Sequence, residues 1–150
     1  MKTSSLKNES FNWTCKNTWK ISAKNTLWCL VGCATGDIGT ILFFQINDYG
    51  WSTISIMILA IINGLITSII LETIILLKQD FNFSQALKTA LGMSFISMIS
   101  MEISMNLVDW LIMGEAKINL WILPIMLLAG FLTPWPYNYW RLKKFNISCH

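Results

Sequence analysis

The stretch that decides the fold is residues 52–77, STISIMILAIINGLITSIILETIILL. It runs well beyond the ~18 apolar residues at which a membrane-spanning helix becomes the default reading. Three further apolar segments accompany it, so four spans are expected, at about 26–47, 52–77, 86–113 and 119–137. The separators carry turn chemistry: Asn47-Asp48-Tyr49-Gly50, Lys78-Gln79-Asp80-Phe81-Asn82 and Gly114-Glu115-Ala116-Lys117. Thr133-Pro134-Trp135-Pro136 is expected to end the last helix, because two prolines so close remove donors and break the ladder. Trp51, Trp110, Trp121, Trp135, Tyr137 and Tyr139 fall near the predicted interfaces, where amphipathic rings are favoured.

Composition agrees with this outline. The 150 residues suffice for one domain, and 54% are hydrophobic against 13% charged, where soluble domains carry about 25% charged residues. The fold class expected is all-α: an integral membrane four-helix bundle. Residues 1–25 form a polar, Lys-rich tail in which Phe11, Cys15 and Trp19 share one helical face and Lys16, Lys20 and Lys24 another. That pattern suits a short interfacial helix on the membrane surface. Residues 138–150 form a second tail. The first apolar run reads as a retained helix, not a signal peptide: its polar leader is long, Asp37 interrupts it, and no small-x-small cleavage site follows.

Orientation follows from the basic residues. Five Lys precede the first span, Lys78 and Lys88 flank the second connection, and Arg141, Lys143 and Lys144 follow the last span, leaving only Lys117 on the other side. Both termini are therefore expected in the cytoplasm, with the chain a multi-pass protein of the cell membrane. Cys15, Cys29, Cys33 and Cys149 do not read as a disulfide framework, since two lie in an apolar run and two in tails assigned to a reducing compartment. No basic stripe interleaves with exposed aromatics, which excludes nucleic acid as a partner.

Two stripes carry chemistry. On the first span Cys29, Cys33 and Asp37 recur every four residues and share a face, with Gly32, Gly36 and Gly39 on the adjacent edge as a helix-packing strip. On the third span Met98, Met101, Glu102, Met105, Asn106, Asp109 and Met113 fall within about 140° of arc, while Ser97, Ser100 and Ser104 make a second face. At ~1.5 Å rise per residue, Asp37, Asn63 and Glu102 lie near the bilayer midplane, Cys33 and Met98 about one turn inward, and Cys29, Glu72 and Met93 about two turns inward. Thiolates and thioethers are the ligands that favour Cu(I), and carboxylates near the midplane must be protonated, paired or wet. A plainer reading stays open, in which the sulfurs act as apolar filling and the acids as a buried polar seam.

The run from residue 26 to residue 37, with its Cys-x-x-Gly-Cys-x-x-Gly-Asp pattern (Cys29 to Asp37), resembles a family of bacterial and archaeal membrane proteins catalogued as domain of unknown function 4396. Met101-Glu102-Ile103 and Pro136-Tyr137-Asn138-Tyr139-Trp140 fit the same resemblance, which extends from Trp19 to Lys144. The chain departs from the pattern at Trp28, where members often carry His, and in a tail reduced to Cys149-His150. The resemblance implies four membrane helices and no defined activity.

Enzyme chemistry is not expected. No Ser-His-Asp set, phosphate loop or dinucleotide fingerprint is present. A quinone-linked thiol oxidoreductase is disfavoured because Cys29 and Cys33 stand four apart within a helix near the cytoplasmic side. Two functions remain. In the first, a membrane binding or translocation protein handles a soft metal ion, copper, or protons. Cys29, Cys33, Met98, Met101 and Met105 would then be ligands, and Asp37 and Glu102 would balance charge or carry protons. The second is a non-catalytic accessory subunit of a larger membrane complex. Either reading expects the lipid bilayer and a homo-oligomer or other membrane subunits as partners, because four short helices enclose little volume.

Overall fold

The computed structural model describes residues 13–144 apart from 79 and 81, and the side chains of these apart from 89, 93 and 94. Phe11, Cys149 and His150 lie outside the described residues. Five helices follow in order: α1 (Lys16–Asn47), α2 (Thr53–Leu77), α3 (Phe83–Met113), α4 (Leu123–Leu132) and α5 (Trp135–Lys144). Three of them, α1, α2 and the Phe95–Met113 part of α3, are long and apolar enough to cross a membrane.

Helix ends follow local chemistry. Ser52 caps α2 by accepting the Ser55 N–H at 3.3 Å. Gly114 ends α3 in the left-handed region at φ 71°, its N–H bonded to the Trp110 carbonyl at 2.9 Å.

Burial is inverted relative to a water-soluble bundle. Most of the α1 residues turned inward are polar or small, among them Thr18, Ser22, Thr26, Gly32, Asp37 and Thr40, with Leu30 and Ile41 the large apolar exceptions. The large apolar side chains of α2 face out: Ile54, Ile58, Ile62, Ile66, Ile70 and Ile74, spaced by four, form one exposed ridge. Such a ridge is compatible with contact to hydrocarbon, where backbone groups are satisfied within each helix and apolar side chains lose nothing by exposure.

Close approach holds α1 to α2. A Cβ on Gly32 would lie 2.6 Å from the Ser68 Cα, and one on Gly36 would overlap the Asn63 carbonyl. The Thr67 hydroxyl donates to the Gly32 carbonyl at 2.7 Å, and the Asn63 amide donates to the Thr40 hydroxyl at 2.8 Å. Gly39, expected on the same packing edge, instead faces open space, with nothing within 4 Å of a Cβ placed there.

Two expectations are corrected. The segment 119–137 does not form one helix. It runs as a turn in which Asn119 accepts from Ile122 and Leu123, then α4, a break at Thr133-Pro134, and α5. Pro134 has no N–H to give the Gly130 carbonyl, so the ladder stops there. Pro136 is tolerated in the first turn of α5, where its missing donor is not needed. With 10 residues, α4 spans only about 15 Å. Second, neither flanking tail stands apart. The described part of the N-terminal tail continues into α1 as one helix of 32 residues, and α5 occupies what was expected to be a C-terminal tail.

These two parts pack together. Asn138 donates to the Thr26 hydroxyl at 2.7 Å, the Trp135 indole to the Ser22 hydroxyl at 3.1 Å, and the Trp19 and Tyr139 rings stack at 4.2 Å. Cys15, whose N–H reaches the Tyr139 hydroxyl at 3.3 Å, is disulfide-bonded, against the expectation that the chain forms no disulfide. The side-by-side course of α1 and α5 brings the ends of the described chain into reach of each other.

Candidate functional site

On α1 the four-residue recurrence places Cys29, Cys33 and Asp37 on the inward face, where Cys33 and Asp37 are fully buried. From α3, the stripe set by its helical period brings Met98, Met101, Glu102 and Met105 to full burial, with Asn106 and Asp109 further along the same face. The two stripes meet. Cys29, Cys33, Met98, Met101 and Met105 belong to one buried cluster, which also holds Leu30, Ile122 and Met126. Cys29 and Cys33 are free thiols. Met93, expected at the same inward level, has its side chain outside the described residues.

Met126 is a sixth sulfur that sequence reasoning missed. It sits on α4 one turn before Gly130, and a Cβ at Gly130 would lie 2.7 Å from the Met105 Cγ. The missing side chain at Gly130 therefore lets α4 close on the sulfur cluster. The only signal in the sequence was a Met and a Gly four apart in an otherwise aliphatic segment.

Beside the sulfurs lies a line of buried acids. The Asn106 amide donates to Asp37 Oδ1 at 2.9 Å and to the Glu102 carbonyl at 3.1 Å. The Glu102 carboxyl has the Cys33 thiol and the Asp37 carboxyl as neighbours. It occupies the space that Gly64 leaves empty, since a Cβ at Gly64 would overlap that carboxyl and lie 3.0 Å from the Cys33 carbonyl. Gly64, not one of the three expected packing glycines, is thus the position that admits Glu102 to the bundle centre. Asn63, expected near the midplane, turns to Thr40 instead and does not join the acids.

Satisfaction of these groups is incomplete. Asp37 Oδ2, both Glu102 oxygens, Asn106 Oδ1 and both Asp109 oxygens have no hydrogen-bond partner. The one ion pair among the described residues, Lys117 to Glu115 at 2.8 Å in the loop after α3, is at the surface and reaches none of them. A buried carboxylate without a cation is among the most costly groups a bundle can hold, so this line calls for protons or a bound cation.

The arrangement has two ends. At one, the Cys29 thiol lies 3.6 Å from the Ser68 hydroxyl, with Glu72 a turn further along α2. Arg141 of α5, 8% exposed, acts electrostatically on both Cys29 and Glu72. Sequence reasoning placed Arg141 in a solvated tail and missed its burial. At the other end, Asp109 lies beside the main-chain N–H of Lys117. That loop is docked by Gln45, which accepts from the Ile118 N–H at 3.0 Å and donates to its carbonyl at 3.3 Å.

Among the described residues, no three His, Cys, Asp or Glu side chains group closely enough to hold a metal ion. A three-ligand centre built only from thiols, imidazoles and carboxylates is therefore not present there, and a third ligand beside the two thiols would have to be a thioether sulfur.

No curated protein and no solved structure matches the chain. The family described as Domain of unknown function (DUF4396) does match, over residues 18–146. That match runs from the start of α1 through α5 and includes the Cys29 to Asp37 face, Glu102 and the Asn138–Arg141 turn of α5, so the chain belongs to the DUF4396 family.

Proposed function

We propose that this protein binds a soft monovalent metal cation of the Cu(I) class within its helices and passes it across the bilayer. The observation that supports the reading is the joining of Cys29, Cys33, Met98, Met101 and Met105 in one dry cluster, directly beside carboxyls that lack a cationic partner. Cu(I) is satisfied by two or three sulfur ligands, so thioethers can complete a set that two thiols begin. One thiolate with two thioethers leaves a neutral complex, which suits a low-dielectric interior. The ligand thiol loses its proton as the metal–sulfur bond forms, and Glu102, adjacent to Cys33, is the group placed to accept it. Asp37 and Glu102 thus balance charge, and copper is cargo.

Cu(I) titration under reducing conditions, against a competing chromogenic chelator, tests this. Wild type is expected to take up metal near stoichiometrically, and the Cys29→Ser, Cys33→Ser double variant to bind at least tenfold more weakly. A Met98→Leu, Met101→Leu, Met105→Leu variant should lose affinity to a similar extent. Equal uptake by wild type and the cysteine variant, or none by either, would leave the sulfurs as packing. The reading would then pass to a non-catalytic accessory subunit that meets its partners through its outer faces, where Gly39 has room for a neighbouring helix.

The proposed orientation has both termini in the cytoplasm, with α4 and α5 crossing together as a broken fourth span. Ten basic residues against one support it. The Cys15 disulfide weighs the other way, since a reducing cytosol does not keep such bonds. Reporters fused at the N-terminus and after Lys144 are expected to read cytoplasm, and one inserted in 48–51 the outside. Termini on opposite sides would mean that α4 and α5 do not cross.

A further inference from the structure

We infer that Arg141 of α5 is a tethered cation, which occupies the Cys29 end of the sulfur site beside Glu72 and must withdraw before a metal cation can enter there. This deepens the metal reading by naming what guards the site, and it rests on that reading only for the identity of the ion that displaces it.

Three observations carry it. First, the helical period of α5 turns Arg141 inward. Arg141 and Leu142 stand three and four residues after Asn138, and all three are buried on one face. Lys144 stays exposed, with its Nζ 4.8 Å above the Trp140 ring. Second, the inward guanidinium is not tied down. Its Nε and Nη1 have no hydrogen-bond partner, although an arginine carries five N–H donors and usually aims them at a carboxylate. The groups that act on it are Glu72 of α2, Tyr137 of its own helix and Cys29 of α1. Field and packing hold it, so neither of those nitrogens has a hydrogen bond to break when the side chain leaves. Third, α5 docks on α1 without it. Trp135 and Asn138 donate to Ser22 and Thr26, and Tyr139 stacks on Trp19. An apolar side chain at position 141 would close that interface at less cost, so the charge is what the position supplies.

Charge decides what the guanidinium excludes. Cys29 has carboxyls on either hand, Glu72 of α2 and Glu102 of α3, and among the described residues Arg141 is the one cation that acts on it. A monovalent metal ion bound at Cys29 would set a second positive charge beside the guanidinium in a buried site. Like charges repel most strongly where the dielectric is low, so the two occupy this end in turn. With the metal out, Arg141 offsets Glu72. With the metal in, the ion takes over that role, and the long arginine side chain carries its head group towards the surface. One positive charge replaces another, and α5 itself stays docked.

The test uses the full chain in detergent, in a Cys33→Ser background and without metal. Cys29 is modified with two methanethiosulfonates, the anionic sulfonatoethyl and the cationic trimethylammonioethyl reagent, and the product is read at Cys29 by peptide mass spectrometry. Each rate is taken relative to that of a small thiol in solution. Both reagents attack the same thiolate, so its population cancels in their ratio, as does any general loosening of the helices. With Arg141 present the anionic reagent is expected to be favoured. Arg141→Gln should shift the ratio at least fivefold towards the cationic reagent, and Arg141→Lys should leave it within twofold. An unchanged ratio in Arg141→Gln would overturn the tethered cation. Equal acceleration of both reagents would overturn it too, because Arg141 would then be only a steric plug. In the chain with both thiols, Cu(I) titration is expected to show Arg141→Gln binding at least threefold more tightly than wild type, and equal or weaker binding would overturn the displacement. The two arms keep the readings apart: a shifted ratio without metal uptake by any variant discards only the metal cargo, and uptake with an unchanged ratio discards only the tethered cation.

Discussion

Gly36→Ala is expected to lower the melting temperature of the detergent-solubilised protein sharply, while Gly39→Ala leaves it unchanged or slightly higher. The two positions lie three residues apart on α1 and differ only in what they face. A Cβ at Gly36 would overlap the Asn63 carbonyl and crowd the Thr67 hydroxyl, whereas one at Gly39 meets nothing within 4 Å. The Asn63 carbonyl is helix backbone and cannot turn aside, so α1 and α2 must separate along their length. Overpacking of this kind costs about 3 kcal/mol, and the gain in helix propensity from Gly to Ala returns only ~1 kcal/mol. Separation also stretches the bonds from Thr67 to Gly32 and from Asn63 to Thr40. The net loss is about 2 kcal/mol or more, with unfolding in a denaturing detergent as the second readout. Equal behaviour of the two variants would mean that the α1–α2 approach is looser than the structure has it.

Glu102→Met is expected to do the reverse and stabilise the metal-free protein. The Met side chain has the same reach as Glu and would join the buried sulfurs of α1, α3 and α4. It removes two buried oxygens that have no hydrogen-bond partner. Replacing a buried ionisable group by an apolar one of similar volume gains about 1–4 kcal/mol. A rise in melting temperature would identify Glu102 as a group kept at the expense of stability. A fall in melting temperature would show instead that the carboxyl is satisfied by something inside the bundle, which would weaken the charge-balancing role.

The membrane character of the chain was legible in residues 52–77 alone, because an apolar run of that length with Glu72 as its one ionisable residue is the signature of a spanning helix. The two stripes of the candidate site were legible as well. A spacing of four on α1 and an arc of Met, Glu, Asn and Asp on α3 follow from helical period, a local property. Local chemistry could not tell how α4 and α5 would arrange themselves. Pro134 announced a break, but whether the chain ends there or resumes depends on what the next residues touch. Trp135, Asn138 and Tyr139 find Ser22, Thr26 and Trp19 on α1, partners more than a hundred positions away.

The sequence by itself determined which faces exist, since the position of a side chain around a helix is set by the 3.6-residue turn and nothing else. Only the tertiary structure decided which faces meet. Gly36 packs and Gly39 does not, although both lie on the same edge, because the neighbouring helix fills the space beside one and leaves the space beside the other open. Gly64 and Gly130 became the positions that admit Glu102 and Met105 for the same reason. A missing side chain has meaning only once a neighbour fills the space. The burial of Arg141 and the entry of Met126 into the sulfur cluster were likewise fixed by how α4 and α5 dock on α1 and α3, a matter of contact between segments that no spacing within either one contains.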